Sequence, residues 1–327
     1  MSDTLLEVKN LKTYFPVKGG LLKRTVGNVH AVDGVSLTVR KGESLGLVGE
    51  SGCGKSTLGR TILRLEDPTA GEIWFNGNNI TALGHAAMKP VRRDMQLVFQ
   101  DPFGSLDPRM SVQKIVEEPL KLHKIGSPRE RAEKAIAMLR QVGLGKEALS
   151  KYPHEFSGGQ RQRMGIARAL MLNPKLVIAD EPVAALDVSI RSQVLNLMND
   201  LKREYQLTYI MISHDLAVVK YFSDRIAVMY LGKIVELAGG QDLYQKALHP
   251  YTRALISAIP EPDPTFSKKR EVLQGDVPSP LRPPVGCRFN TRCSYATDKC
   301  RAVEPELRDY GTSQEPHWVA CHRIGEI

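Results

Sequence analysis

No apolar run in this 327-residue chain approaches the ~18–20 residues that a membrane-spanning helix needs. The N-terminal MSDTLLEVKN also lacks the basic-then-apolar pattern of a secretory signal. A channel or a secreted protein is therefore not expected. Basic residues are not massed either, since no Lys/Arg block exceeds three residues. The formal charge is +9, from 45 Lys+Arg against 36 Asp+Glu; residues 261–327 are balanced at 10 and 10, so the excess belongs to residues 1–260. A diffuse surplus suits phosphate ligands or an anionic membrane surface as well as DNA, and ordinary surface charge explains it equally. Cysteine is scarce, with Cys53 alone and Cys287, Cys293, Cys300 and Cys321 crowded into the last 41 residues.

What is present is an ordinary globular composition, 42% hydrophobic and 25% charged, and an alternation of short apolar runs with amphipathic stretches. Leu45–Gly49, Glu72–Phe75, Met95–Phe99, Leu176–Ala179, Thr208–Ile212, Arg225–Tyr230 and Ile234–Leu237 read as strands. Helices are expected over Thr57–Leu65, over Arg131–Val142 behind the capping box Ser127–Glu130, and over the apolar spacing Ile190, Val194, Leu197 and Leu201. Strands alternating with helices indicate an α/β fold with a parallel or mixed sheet. The stretch from about 100 to 170 suits an inserted helical subdomain. After Pro260 the composition shifts, with eight of the 20 prolines in residues 261–327. Glu261–Lys269 reads as a linker, which divides the chain into 1–260 and a loop-rich extension, 261–327.

Gly49-Glu-Ser-Gly-Cys-Gly-Lys-Ser-Thr57 follows a strand and precedes a helix, the context that GxxxxGK[ST] requires. Gly49, Ser51, Gly52, Cys53 and Gly54 form the loop whose N–H groups wrap phosphates, and the helix N-terminus adds partial positive charge. Lys55 reaches the β- and γ-phosphates, the Ser56 hydroxyl ligates Mg²⁺, and Thr57 completes the motif. Nucleotide binding follows from this motif in this place. Cys53 is a small residue that fits the loop; its position at a helix N-terminus could lower its pKa. Leu176–Asp180–Glu181 is an apolar strand ending in two carboxylates. Asp180 suits Mg²⁺, and Glu181 is placed to polarise an attacking water. His214 follows another apolar strand, and Gln100 a third, as a candidate contact to Mg²⁺ or water.

Phe156-Ser-Gly-Gly-Gln160 opens a helix, and its unpaired N–H groups make a second anion site about 100 residues beyond the first. With that motif the chain resembles the ATP-binding-cassette ATPases over roughly residues 5–260. The motifs stand in family order: 49–57, Gln100, FSGGQ at 156–160, LVIADE at 176–181, Ala185-Leu186-Asp187 and His214. The first signature residue departs from the commonest pattern, being Phe156 instead of Leu. The resemblance implies a P-loop nucleotide-binding domain with a RecA-like core, a β subdomain and a helical subdomain. It implies head-to-tail pairing of two cassettes, in which Ser157, Gly159 and Gln160 serve the partner's ATP, with Gly158 and Asp187 also among the cofactor-binding residues. It further implies Glu181 as general base, His214 as γ-phosphate sensor, and Phe15 (with Tyr14 as alternative) as the adenine-stacking aromatic.

The absence of a long heptad insertion argues against a DNA-repair or chromosome ATPase, and the single set of motifs argues against a translation-type member. A soluble repair or regulatory ATPase is the contrasting reading. Gln100-Asp-Pro-Phe-Gly-Ser-Leu-Asp-Pro-Arg-Met110, His249-Pro-Tyr-Thr-Arg-Ala-Leu255, Gly275-Asp-Val-Pro-Ser-Pro-Leu281 and Gly286-Cys-Arg-Phe289 resemble the bacterial oligopeptide/dipeptide (and nickel) uptake ATPases, most like their second ATPase subunit. That resemblance implies a distinct second ATPase chain, two membrane permeases and, indirectly, a periplasmic peptide-binding protein. It implies a place on the cytoplasmic face of the bacterial inner membrane and no nucleic-acid partner.

The tail spacing is Cys287-x5-Cys293-x6-Cys300-x20-Cys321. Disulfides are disfavoured where ATP is consumed, in the cytosol. A four-cysteine metal site would staple a segment too small for its own core. Zinc prefers CxxC pairs, which are absent, whereas the wider spacing and the family resemblance favour a 4Fe–4S cluster. Zinc and unliganded thiols remain the alternatives, with His317 and His322 as outside candidate ligands.

Overall fold

The computed structural model describes residues 3–19, 24–259, 271, 273–312 and 315–327. The expected linker, 261–269, lies outside the described residues. Along the chain, β1 (Thr4–Gly19), β2 (Arg24–Arg40) and β3 (Ser44–Val48) precede α1 (Lys55–Ile62), β4 (Ala70–Phe75) and β5 (Asn78–Asn79). Next come α2 (His85–Asp94), β6 (Met95–Val98), α3 (Val112–Leu122), α4 (Pro128–Gln141) and α5 (Gly158–Leu170). They are followed by β7 (Leu176–Asp180), α6 (Val188–Tyr205), β8 (Thr208–Ser213), α7 (Leu216–Phe222), β9 (Arg225–Tyr230) and β10 (Lys233–Gly239). The chain ends with α8 (Gly240–Gln245), α9 (Pro250–Ser257), α10 (Asp298–Ala302), β11 (Arg308–Asp309) and β12 (Trp318–Val319). None of the described helices is long and apolar enough to cross a membrane.

Two compact units emerge. The first comprises Met1–Arg40, Ser44–Ala82 and Ile212–Ile327, and the second Lys41–Glu43 and Leu83–Met211. In the first, β2, β1, β4 and β5 form an antiparallel sheet in that order. The β1–β2 pairing runs from Thr4↔Arg40 to Gly19↔Arg24 with several register shifts. A second set runs β11-β12-β10-β9-β3, with β3 parallel to β9 through Leu45↔Arg225 and Val48↔Val228. All five residues of β3 are buried, as expected of a parallel strand that never faces water.

The second unit carries α2 to α6 and the parallel pair β6–β7, in register Met95↔Leu176. Every residue of β7 is buried. The capping box at α4 forms as its sequence predicts: Ser127 Oγ accepts from Glu130 N at 3.3 Å and Glu130 Oε2 accepts from Ser127 N at 2.6 Å. The strong preference of Ser at an N-cap and of Pro at the first helical position makes this terminus self-sufficient.

Within the first unit, one buried carboxylate helps to fasten the extension. β12 pairs with β10 at Glu236↔Val319, and Glu236 is fully buried. It accepts from Leu248 N at 2.7 Å and His249 N at 3.1 Å, and lies 2.7 Å from His317 Nε2. Unmatched, those donors would each carry a desolvation cost, so Glu236 joins three chain segments at once. His249 Nδ1 accepts from Tyr251 N at 3.1 Å, and burial holds the ring neutral by pushing its pKa down to about 4.

Candidate functional site

The phosphate loop turns from β3 into α1. Gly54 is the N-cap of α1, and no side chain caps that helix, which leaves helix-start N–H groups available to an anion. The turn requires glycine at this position. Gly54 has φ +106°, and a Cβ there would lie 2.0 Å from the Ala31 carbonyl oxygen. Lys55 is buried, and its Nζ donates to Gly49 O at 2.7 Å and Glu50 O at 3.0 Å. The ammonium thus sits inside the curl of the loop, at the place where phosphate charge would be met.

Cys53 sits in the loop as a small, shielded residue. It is 3% exposed, and burial pushes its thiol pKa up, outweighing the nearby Lys55 ammonium at 3.7 Å from its sulfur. The alternative, a thiol activated by the helix start, is disfavoured because desolvation of a thiolate costs more than that field returns. A thiol reagent would find this residue shielded.

On β1, Phe15 is 37% exposed. Tyr14 instead stacks on His30 with ring centroids 4.2 Å apart and donates to Asp33 Oδ1 at 2.5 Å. Of the two aromatics, Phe15 has the ring that a base could cover. His214 follows β8 and is exposed. The next residue, Asp215, caps α7 by accepting from Ala217 N at 2.9 Å.

In the second unit, Asp180 ends β7 in a buried position. Glu181 follows with φ +47°, a left-handed conformation that few side-chain-bearing residues adopt and that clusters at functional positions. Gln100, two residues beyond β6, donates from Nε2 to Glu181 Oε2 at 3.1 Å. Two residues 81 apart in sequence are therefore one hydrogen-bonded pair. Asp187 occupies the N-cap position of α6 without capping it through its side chain.

The FSGGQ segment is more self-contained than its sequence suggests. Ser157 Oγ accepts from Gln160 N at 3.3 Å, and Gln160 Oε1 accepts from Ser157 N at 3.0 Å, a closed capping box. Gly159 has a packing reason as well, since a Cβ there would approach Ile190 Cγ2 to 2.4 Å. The expected row of unpaired donors at this helix start is thus partly taken by the helix's own side chains.

Cys287, Cys293, Cys300 and Cys321 line one small cavity with His249, Phe289, Tyr295 and His322. The N–H of Arg323, two residues beyond Cys321, donates to the Cys321 sulfur at 3.4 Å. Burial pushes the Cys287 thiol up to about 12 and raises Cys293 and Cys321. Among the described residues, however, no group of three or more His, Cys, Asp or Glu side chains is arranged to hold a metal ion. The expected metal site is therefore not preassembled. His317 is turned to Glu236, and His322 Nε2 lies 2.9 Å from the Val303 carbonyl.

Sequence reasoning missed Glu50, Arg292, Asp33 and Arg288. Glu50 fills a variable position of the loop motif, Arg288 stands in the Gly286–Phe289 run without a mark of its partner, and Arg292 stands in no pattern. Their pairing, Arg292 to Glu50 at 2.6 and 3.1 Å and Arg288 to Asp33, crosses 242 and 255 residues.

Comparison with known proteins agrees with this geometry. The family described as ABC transporter matches residues 32–184, and the oligopeptide/dipeptide transporter C-terminal region matches residues 235–300. The chain is 54% identical over 323 residues to the oligopeptide transport ATP-binding protein AppF of Bacillus subtilis, covering 98% of this chain and 97% of that one. A dimeric ATP-binding cassette in a post-hydrolysis state with ADP and Pi is 31% identical, with TM-score 0.63 over 70% of this chain and 96% of that one. Clostridium perfringens cbiO1, part of an ABC transporter complex, is 27% identical with TM-score 0.64 over 75% and 92% of the two chains. The chain belongs to the ABC transporter ATP-binding family. Within it, the chain is an ABC-type ATPase of the group that carries the oligopeptide/dipeptide transporter C-terminal region.

Proposed function

We propose that this ATPase powers the import of di- or oligopeptides. The observation that carries the reading is the joining, in one chain, of a strand–loop–helix phosphate site with the C-terminal region of oligopeptide/dipeptide transporters, in a close relative of an oligopeptide transport ATP-binding protein. The chain acts at the cytoplasmic face of the bacterial inner membrane, beside two permeases and a second, distinct ATPase subunit. Phe99 and Phe103, 41% and 61% exposed in the Gln100–Met110 neighbourhood, supply apolar surface for such docking.

In this reading the Gly49–Thr57 loop and Lys55 receive the ATP phosphates, and Phe15 stacks on the base. Glu181 takes the proton of a water that attacks the γ-phosphorus in line, while the bond to the ADP oxygen breaks. Gln100, hydrogen-bonded to Glu181, orients the carboxylate and the water. His214 senses the γ-phosphate. Ser157, Gly158, Gly159, Gln160 and Asp187 serve the ATP of the partner cassette, and closure and reopening of the pair is the mechanical output. Ser56, Gln100 and Asp180 are hard oxygen donors that would hold Mg²⁺, which would supply positive charge against the phosphates. Glu181→Gln should lower ATP turnover by at least about a hundredfold while ATP binding persists. Turnover at the wild-type rate would remove Glu181 from the role.

The four tail cysteines form the site of a 4Fe–4S cluster. Their convergence on one cavity supports it, as does the Arg323 N–H donated to the Cys321 sulfur at 3.4 Å, since such bonds stabilise thiolate ligands. A single zinc ion is the weaker reading. Zinc usually takes CxxC pairs, which this sequence lacks. Cys287, Cys293, Cys300 and Cys321 would hold the cluster, and it would tie together a segment with little core of its own. Protein purified without oxygen should be brown, absorb at about 400 nm and contain iron and sulfide. Colourless protein with one zinc per chain would reverse the choice.

A further inference from the structure

Glu50 is the second residue of the phosphate loop, and each of its polar groups is held. Its N–H donates to Tyr251 Oη at 2.9 Å. Its carbonyl accepts from Lys55 Nζ at 3.0 Å. Its carboxylate takes both terminal nitrogens of Arg292 at 2.6 and 3.1 Å. The Arg292 side chain is 7% exposed and comes from the extension, between Cys287 and Cys300. A forked guanidinium–carboxylate pair of this kind fixes orientation as well as distance.

The same segment also fixes the tyrosine opposite the Glu50 N–H. Phe289 is fully buried and packs against Tyr251 and Tyr230 at 5.4 and 5.3 Å between ring centroids. Arg292 lies over Tyr230 at 5.9 Å. Four residues before Arg292, Arg288 pairs with Asp33, which also accepts from Tyr14. Asp33 N donates to Gly232 O at 2.8 Å, and Gly232 N donates to Cys53 O at 2.9 Å, which returns the connection to the back of the loop. Two arginines from one short segment thus brace the loop at two separate points.

We propose that the Cys287–Cys300 segment is a clamp on the ATP site, and that Arg292 is its positioning residue. Arg292 holds the Glu50 carboxylate, the orientation of Glu50 sets the carbonyl that holds Lys55, and Lys55 with the loop N–H groups meets the phosphates. The extension thereby tunes how tightly the chain holds ATP, and whatever loosens the cysteine-bearing segment weakens nucleotide binding before it alters the chemical step. This rests on reading the Gly49–Thr57 loop as the phosphate site.

The test is ATP affinity of the purified full-length chain, measured with a fluorescent ATP analogue, together with steady-state KM and kcat. Arg292→Met should weaken binding and raise KM by about tenfold, with kcat falling less than about twofold, because one charge-assisted pair is lost. Arg292→Lys should recover part of the affinity, since a lysine keeps the charge without the fork. Glu50→Gln should reproduce the KM shift without touching the extension, and it decides the matter if Arg292→Met does not fold. Folded variants with ATP affinity within twofold of wild type, or with kcat falling as much as affinity, would overturn the clamp. Lys55→Ala separates the premise: wild-type ATP affinity in that variant would discard the loop as phosphate site whatever Arg292 does.

Discussion

At the start of α1 the backbone donors have no side-chain cap, and at the start of α5 they are partly closed by Ser157 and Gln160. Both helix starts are glycine-rich, and both read in sequence as anion sites. The first is held from behind by ionised groups, Glu50 with Arg292 and Asp33 with Arg288. The second is held by neutral hydrogen bonds within its own turn. A loop that must keep an open cradle has no cap of its own and borrows rigidity from elsewhere in the fold. A helix start that caps itself needs no such bracing, and must give up part of its cap to meet a ligand.

The largest break in this contrast should come from Gly54→Ala. The added Cβ meets the Ala31 carbonyl at 2.0 Å in a left-handed backbone, so the cradle must deform. We expect loss of ATP binding and a cost of about 2–4 kcal/mol in denaturant unfolding. A folded Gly54→Ala chain that binds ATP normally would show that the turn is more adaptable than its geometry implies.

Ser157→Ala acts on the other side of the comparison. Loss of a capping hydroxyl should destabilise the start of α5 by about 1 kcal/mol, read as faster amide hydrogen exchange in its first turn. Exchange unchanged from wild type would mean that Gln160 alone finishes that terminus. Gln160→Ala, which removes the reciprocal bond and leaves the Ser157 cap, should have the smaller effect, about 0.5 kcal/mol or less.

Acid should separate the two helix starts without any mutation. Burial alone would raise the Asp33 pKa, but the Tyr14 hydroxyl and then Lys233, Arg288 and Lys12 outweigh it and hold the carboxyl below its usual range. A carboxylate whose folded pKa is depressed adds stability above its unfolded pKa and loses it as pH falls through the folded value. The bracing of the α1 loop should therefore weaken below about pH 4, while the neutral box at α5 carries no such dependence. Hydrogen exchange in the two first turns against pH measures this, and Asp33→Asn should flatten the acid limb. Equal acid sensitivity at both helix starts would remove the electrostatic part of the contrast.

Much of the fold was legible because its signals are local. The runs Leu45–Gly49, Leu176–Ala179 and Thr208–Ile212 emerge as β3, β7 and β8 within a residue or two, since apolar runs this short favour buried strands over helices. The caps at Ser127 and Ser157 form because the groups that satisfy each other are three residues apart. The long β1–β2 hairpin was not anticipated. Its register shifts at Val8/Leu11 and Thr13/Tyr14 break the two-residue alternation that would reveal it. Helix α2 was missed as well, with Pro90 inside it.

The candidate site divides in the same way. The phosphate loop, the Asp180–Glu181 strand end and the cysteine set are short patterns whose residue types announce their chemistry. The pairing of Gln100 with Glu181, the shielding of Cys53 and the turning of His317 toward Glu236 are properties of packing. None of them alters a motif.

The sequence by itself determined the α/β class, the nucleotide loop and the clustering of four cysteines, because each depends on neighbours a few residues apart. Only the tertiary structure decided that Arg292 would hold Glu50 and that Arg288 would hold Asp33. Charges on distant stretches of chain carry no periodicity that marks them as partners. Folding buries Asp33 and draws the other charges part of the way out of water, where pairing offsets the lost hydration.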